Sequence, residues 1–275
     1  MPFTQAADGT RIHYEVAGPR DAEPLLCIQG LGTDLRGWTF QRFALGRHYR
    51  LLLVDNRGVG RSDKPSGPYD LEVMANDAVA VLDAEGIGSA HVMGASMGGV
   101  IAQIIAVRHP QRVRSLVLAC TACRHQAWRR ELLEGWATVA GEQGMRALAG
   151  RALRWLVGPR HRRRFGLPFN VFAPFVLNLP AGAFVSQVRA ILDMPDDVRL
   201  ELCNLDVPTL VVVGTQDILT PRADAEELVE LIEGAELAII SGAAHGLMFD
   251  RASDFNSTVQ TFLDAVTPEP EALAG

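Results

Sequence analysis

The stretch Val92-Met-Gly94-Ala-Ser96-Met-Gly98-Gly99-Val100 sets three glycines and an alanine around one serine, between two apolar runs. Glycine inside a helix or strand costs about 0.5–1 kcal/mol relative to alanine, so an uninterrupted element has no local use for this pattern. It makes sense if the chain turns sharply from strand to helix at Ser96. A residue on such a turn is driven toward strained dihedrals, and neighbouring backbones come so close that side chains at 94, 98 and 99 would clash. The hydroxyl then stands at the carboxyl edge of a sheet, at the start of a helix whose dipole favours developing negative charge. Gly94-x-Ser96-x-Gly98 is therefore G-x-S-x-G in a strand-turn-helix setting, the context that gives that motif its meaning. The competing reading is a glycine-rich turn that only packs a helix against a strand.

Outward from this turn, strands and helices alternate. Phe3–Gln5 and Arg11–Val16 flank Asp8-Gly9, a strong hairpin signal. Short apolar runs follow at Leu25–Ile28, Leu51–Val54, His91–Met93, Leu116–Leu118, Thr209–Val213 and Leu237–Ile240. Continuous runs of this kind suit parallel strands buried on both faces. Helical spacing covers Tyr69–Glu85, Val100–Arg108, Ala223–Ile232 and Asp250–Val266. The order predicts an α/β fold: a mostly parallel sheet of about eight strands with helices on both faces. Residues 124–199 break the rhythm, with helical stretches at Trp128–Val139 and Met145–Val157 and no strand-like run. We read core over 1–122 and 200–267, a helical lid inserted at 123–199, and a frayed tail at 268–275.

A serine is a weak nucleophile and needs a base oriented by a third group. In this topology both partners belong at later strand ends, in the order serine, acid, histidine. Asp217 directly follows the strongest later strand, whereas Asp206 precedes it and Asp224 lies on the next helix. The alternative acid position, after the strand near Ala119, reads Cys120-Thr-Ala-Cys123 and offers no carboxylate. Of the seven histidines, only His245 follows the last strand, in Gly242-Ala-Ala-His245-Gly246. For an oxyanion, the backbone N–H of Met97 is one candidate donor, and that of Leu31 in Gln29-Gly-Leu31-Gly32 is the other.

Composition bounds the rest. The chain has 275 residues, 48% of them hydrophobic, and a net charge of −6, which gives no footprint for nucleic acid. Lys64 is the sole lysine, a compositional bias rather than a thermal adaptation. Neither a secretory leader nor an apolar run of about eighteen residues is visible, so the reading is a cytoplasmic protein with no membrane span. Cys27, Cys120, Cys123 and Cys203 are too scattered for a disulfide framework, and Cys120-x-x-Cys123 has no second pair to complete a metal site. No cofactor or metal is called for.

With these residues in hand, the chain resembles the α/β-hydrolase superfamily, in particular its small lid-bearing esterases, lactonases, enol-lactonases and cofactor-free haloperoxidases. Asp55-Asn-Arg-Gly-Val-Gly-Arg-Ser-Asp-Lys-Pro65 is similar to the family's loop after its fourth strand, where Arg57, Asp63 and Lys64 read as loop-fixing. The resemblance implies Ser96 as nucleophile, His245 as base and Asp217 as its orienter. Serine at position 96 argues against the aspartate-dependent dehalogenases and epoxide hydrolases of this fold. Many relatives carry His-Gly where this chain has Gln29-Gly30; the backbone donor should survive, but the bonds behind it change.

The leading expectation is hydrolysis of carboxylic esters or lactones through an acyl-enzyme, with a small-molecule partner whose acyl part is largely apolar. Carbon–carbon bond hydrolysis and peroxide-dependent perhydrolysis use the same triad and stand as alternatives. A slow-turnover ligand-binding receptor is a third reading, from a different class. Arg160-His-Arg-Arg-Arg164 reads as a solvated basic face, with one arginine able to meet a substrate carboxylate as the alternative. The oligomeric state stays open, a homodimer included.

Overall fold

The computed structural model describes residues 2–158, 179–194 and 196–267. Its eight strands are β1 (Phe3–Gln5), β2 (Arg11–Ala17), β3 (Pro24–Ile28), β4 (Arg50–Val54), β5 (Ala90–Ala95), β6 (Val113–Ala119), β7 (Thr209–Gly214) and β8 (Glu236–Ile240). They form one sheet in the order β1-β2-β4-β3-β5-β6-β7-β8. The β1/β2 and β2/β4 pairs are antiparallel, and every later pair is parallel. The mostly parallel sheet of the sequence reading is thus present.

Alternation within each strand divides the interior in two, because successive side chains point to opposite faces. Leu26, Ile28, Val92, Leu116, Leu118, Val211 and Val213 enter one core. Leu25, Cys27, Met93, Val117, Leu210 and Val212 enter the other. Both faces need cover, which is why these strands read as unbroken apolar runs. The first face is covered by α2 (Leu71–Ala84) and α3 (Met97–Arg108), and the second by Leu35, Trp38 and Leu45 on either side of α1 (Thr39–Ala44) together with the helices after β8. Asp70 caps α2 by accepting from the N–H groups of Glu72 and Val73.

Between β6 and β7 the described residues hold α4 (Ala127–Gln143), α5 (Met145–Leu156), α6 (Ala181–Leu192) and α7 (Asp196–Glu201). After β7 come α8 (Arg222–Leu231), then α9 (Leu247–Asp250) and α10 (Ala252–Val266) beyond β8. The expected single helix over Asp250–Val266 is corrected here: Arg251, at φ −141° and ψ 50°, is not helical and separates α9 from α10. Helix α1 escaped the sequence reading because its half-exposed Phe40 and exposed Phe43 blur any apolar stripe. The basic run Arg160–Arg164, the phenylalanine-rich part of the expected lid and the tail from 268 lie outside the described residues. No helix among the described residues is long and apolar enough to cross a membrane.

Candidate active site

Ser96 sits between β5 and α3 at φ 54° and ψ −120°, in the strained region that the flanking glycines foretell. The close approaches can be read atom by atom. A Cβ on Gly94 would lie 2.1 Å from the carbonyl oxygen of Gly98, and one on Gly98 would lie 2.1 Å from that of Ile28. On Gly99 it would meet Thr121 at 2.6 Å. Bulk at these positions would push α3 off β3 and β5, so the chain keeps none. The turn is held further by Ser96 N–H donating to Ala119 O at 3.0 Å and Thr121 Oγ1 donating to Ser96 O at 2.8 Å.

The three side chains singled out from sequence meet. His245 Nε2 lies 3.0 Å from Ser96 Oγ, and His245 Nδ1 lies 2.9 Å from Asp217 Oδ2. They come from positions far apart in the chain because β5, β7 and β8 all present their carboxyl ends to the same rim. Asp217 and His245 are buried, whereas Ser96 is partly open to the pocket. The Asp217 carboxylate is fully engaged: Oδ1 accepts from the N–H groups of Leu219 and Thr220, each at 2.9 Å, and Oδ2 accepts from Thr220 Oγ1 at 2.8 Å. Burial pushes this carboxyl up, but the facing His245 and the Thr220 donors outweigh it and hold Asp217 below the usual carboxylate range. The acid therefore stays ionised and fixes the ring with its Nδ1 proton inward, leaving Nε2 as an acceptor facing the serine.

Thr220 was missed in the sequence. Its hydroxyl lies 3.1 Å from His245 Nδ1 as well as bonding the acid, so it locks both. The spacing Asp217-x-x-Thr220 is the signal, since a carboxylate readily accepts N–H groups two and three residues on.

The two amide groups picked as oxyanion donors are available. In the loop after β3, Gly30 N–H donates to Gln29 Oε1 at 3.1 Å, Gly32 N–H to Gln187 Oε1 at 2.9 Å, and Thr33 N–H to Gly30 O at 3.2 Å. Among the described residues Leu31 N–H alone in this run has no protein acceptor. Met97 N–H opens α3, where an α-helix leaves its first amides without intrahelical partners. Both residues line the same pocket as Ser96 and His245. The departure at Gln29 is resolved as well: its side chain folds back on its own loop, and Asn56 Nδ2 secures its carbonyl at 2.9 Å.

The pocket encloses about 1050 Å³ of empty space, mouth included. Its far wall is apolar and comes from the helices between β6 and β7: Leu133, Trp136, Leu148, Ala152, Leu156, Phe184 and Ile191. Two charged or titratable residues of that wall are muted. Arg129 is buried, and its guanidinium is spent on Leu219 O at 2.8 Å, Arg124 O at 3.0 Å and the Asp224 carboxylate. His125 is pushed down to about 4 by burial, reinforced by Arg129 and Arg130, so it is neutral near pH 7. Cys120 and Cys123 are buried free thiols, and among the described residues no cluster of His, Cys, Asp and Glu is arranged to hold a metal ion.

The chain as a whole is similar to known proteins. Residues 23–252 match the family model of the alpha/beta hydrolase fold. The crystal structure of the enol-lactonase from Burkholderia xenovorans superposes with a TM-score of 0.89 at 32% identity, covering 96% of this chain and 100% of that one. The 3-oxoadipate enol-lactonase 2 of Acinetobacter baylyi is 29% identical over 264 residues, 94% of this chain and 96% of its own length. A protein of Azorhizobium caulinodans named as the carbamate hydrolase RutD is 29% identical over 264 residues, 95% of this chain and 98% of its own length. By sheet order, serine turn and relatives alike, this chain belongs to the alpha/beta hydrolase fold family and is a hydrolase of that type.

Proposed function

We propose that the chain hydrolyses carboxylic esters or lactones through an acyl-enzyme. The observation that carries this reading is the unbroken chain from Ser96 Oγ to His245 at 3.0 Å and on to Asp217 at 2.9 Å, beside two unengaged backbone N–H groups. Ser96 Oγ attacks the carbonyl carbon while its proton passes to His245 Nε2. The carbonyl oxygen becomes an oxyanion held by Leu31 and Met97 N–H, a contribution of about 3 kcal/mol per donor. The tetrahedral adduct collapses, the C–O bond to the leaving alkoxide breaks, and His245 returns the proton to it. In a lactone that alkoxide stays tethered to the acyl group. Water then attacks the acyl-enzyme with His245 again as base, releasing the carboxylic acid and the free serine.

The helices between β6 and β7 serve as the lid in this reading and supply a largely apolar acyl site. The enol-lactonase names of two relatives support it. A second reading, carbamate hydrolysis, draws on the relative named for that activity, since a carbamate carbonyl takes the same addition. Ring-cleavage hydrolysis and perhydrolysis would use the same residues.

One experiment separates these. Purified protein is labelled with a fluorophosphonate and assayed on p-nitrophenyl acetate and butyrate, small lactones, carbamates, a dienoate, and acetate with peroxide. Labelling and ester or lactone turnover in the wild type, both lost in Ser96→Ala with an unchanged circular dichroism spectrum, is the expected result. Equal labelling of Ser96→Ala would end the proposal. Turnover of carbamate alone would move it to the second reading.

A further inference from the structure

The loop that offers Leu31 N–H is a β-turn, Gly30 to Thr33, closed by Thr33 N–H donating to Gly30 O at 3.2 Å. Gly32 occupies its third position at φ +69°, and Leu31 is not left-handed. That combination is the type II turn, in which glycine is favoured at the third position. Types I and II differ by a flip of the central peptide, here the unit joining Leu31 C=O to Gly32 N–H. Leu31 N–H lies on the preceding peptide, joining Gly30 to Leu31, so its aim depends on where the whole turn is seated.

A contact from outside the loop seats the turn. Gln187, on α6, is fully buried. Its Oε1 accepts Gly32 N–H at 2.9 Å, and its Nε2 donates to Arg57 O at 2.9 Å. Arg57 is a firm anchor, because its guanidinium is clamped by Asp77 at 2.6 and 2.8 Å and by Asp8 at 2.9 Å. The amide of Gln187 therefore spans three segments: the helices between β6 and β7, the turn bearing Leu31, and the loop after β4. On α6 it shares a face with Phe184 and Ile191, both in the pocket wall, so a polar group interrupts an otherwise apolar stripe. A buried amide with both ends engaged is the kind of group that fixes one local conformation rather than adding bulk stability.

We infer that Gln187 is a positioning residue: by accepting Gly32 N–H and donating to Arg57 O it seats the Gly30–Thr33 turn, and so holds Leu31 N–H, on the peptide just before the one it bonds, aimed at the oxyanion. The inference rests on the serine-hydrolase reading of the site. It also assigns the helices between β6 and β7 a part in catalysis beyond shaping the pocket. A turn released from this bond would misplace a donor that acts in the transition state and hardly in ground-state binding, so the loss falls on kcat and not on KM.

The test compares wild type with Gln187→Leu, which keeps the volume and removes both hydrogen bonds, and with Gln187→Glu, which keeps the acceptor for Gly32 N–H. Readouts are kcat and KM for p-nitrophenyl butyrate, inhibition by butaneboronic acid, whose tetrahedral adduct on serine carries an oxyanion, and inhibition by butyrate, which does not. Losing an oxyanion donor outright costs about 100- to 1,000-fold, so a donor displaced but present should cost Gln187→Leu about 10- to 100-fold in kcat. KM and butyrate inhibition should stay within about threefold, boronate binding should weaken in step with kcat, and Gln187→Glu should fall between the two. A folded Gln187→Leu with wild-type kcat, or one losing kcat without losing boronate affinity, overturns the inference. If Gln187→Leu does not fold, Gln187→Met, which also removes both hydrogen bonds, takes its place: wild-type kcat and boronate inhibition in that variant overturn the inference. Fluorophosphonate labelling of the wild type is the separate control, since an unlabelled wild type removes the serine reading and this inference together, whereas a labelled one isolates Gln187.

Discussion

Replacing Asp217 by asparagine removes one charge and almost no volume, yet the hydrogen bonds around it dictate a large effect on rate. Oδ1 accepts two backbone N–H groups, from Leu219 and Thr220, at 2.9 Å each. Both are buried, so an asparagine cannot turn its NH₂ toward them without setting donor against donor. It must keep its carbonyl there and place the NH₂ at the Oδ2 position, 2.9 Å from His245 Nδ1. The ring then has to accept at Nδ1, which moves its proton to Nε2, 3.0 Å from Ser96 Oγ. A protonated Nε2 donates to the serine and cannot take its proton. In the serine-protease triad the same substitution lowers kcat by about 10⁴-fold, or about 5.5 kcal/mol in activation free energy, and a similar loss is expected here. The assay is kcat on p-nitrophenyl butyrate near pH 7.5 together with the rate of fluorophosphonate labelling, both of which need the serine activated. Circular dichroism and thermal melting should change little, because the carbonyl still satisfies both amides. Turnover within tenfold of wild type would refute this reasoning and place the orienting acid elsewhere.

Other perturbations test the frame that holds these groups. Gly98→Ala puts a methyl group 2.1 Å from the Ile28 carbonyl, a backbone atom that cannot step aside alone. About 1–3 kcal/mol of stability and at least about tenfold in kcat should be lost, read by urea melts and ester turnover. Gly135→Ala on α4, with nothing within 4 Å of the added carbon, should be neutral or slightly stabilising, and equal damage from both would discredit the packing argument. His91 is buried between Ser115 and Thr267, and desolvation, helped by Arg114, pushes it down from 6.5 to about 4. A folded-state value below the unfolded one means the contribution is present above about pH 6.5 and is lost as pH falls toward 4. By linkage it amounts to about 2 kcal/mol between pH 7 and pH 5. Denaturant melts of His91→Gln should show a correspondingly shallower loss over that interval; an unchanged slope would assign the acid sensitivity to other groups.

The sequence by itself determined the alternating order of elements, because strands buried on both faces must be apolar throughout and their helices must carry a stripe. It also determined the strand-to-helix turn, since only glycines at 94, 98 and 99 tolerate backbone contacts as close as those around Ser96. Asp217 and His245 were legible for a topological reason: in a parallel sheet every strand ends on the same rim, so residues just past β7 and β8 are delivered to the residue just past β5. Only the tertiary structure decided the rest. Thr220 and Gln187 act through hydrogen bonds whose partners lie 3, 25, 130 and 155 residues away, and no local pattern encodes the longer of these. The break at Arg251 and the muting of Arg129 likewise depend on what packs against them. A periodic pattern records which face of an element is buried, but not which atoms it meets there; that is set by how the helices between β6 and β7 settle onto the rim, and those contacts wall the pocket and tie Gln187 to the turn that carries Leu31.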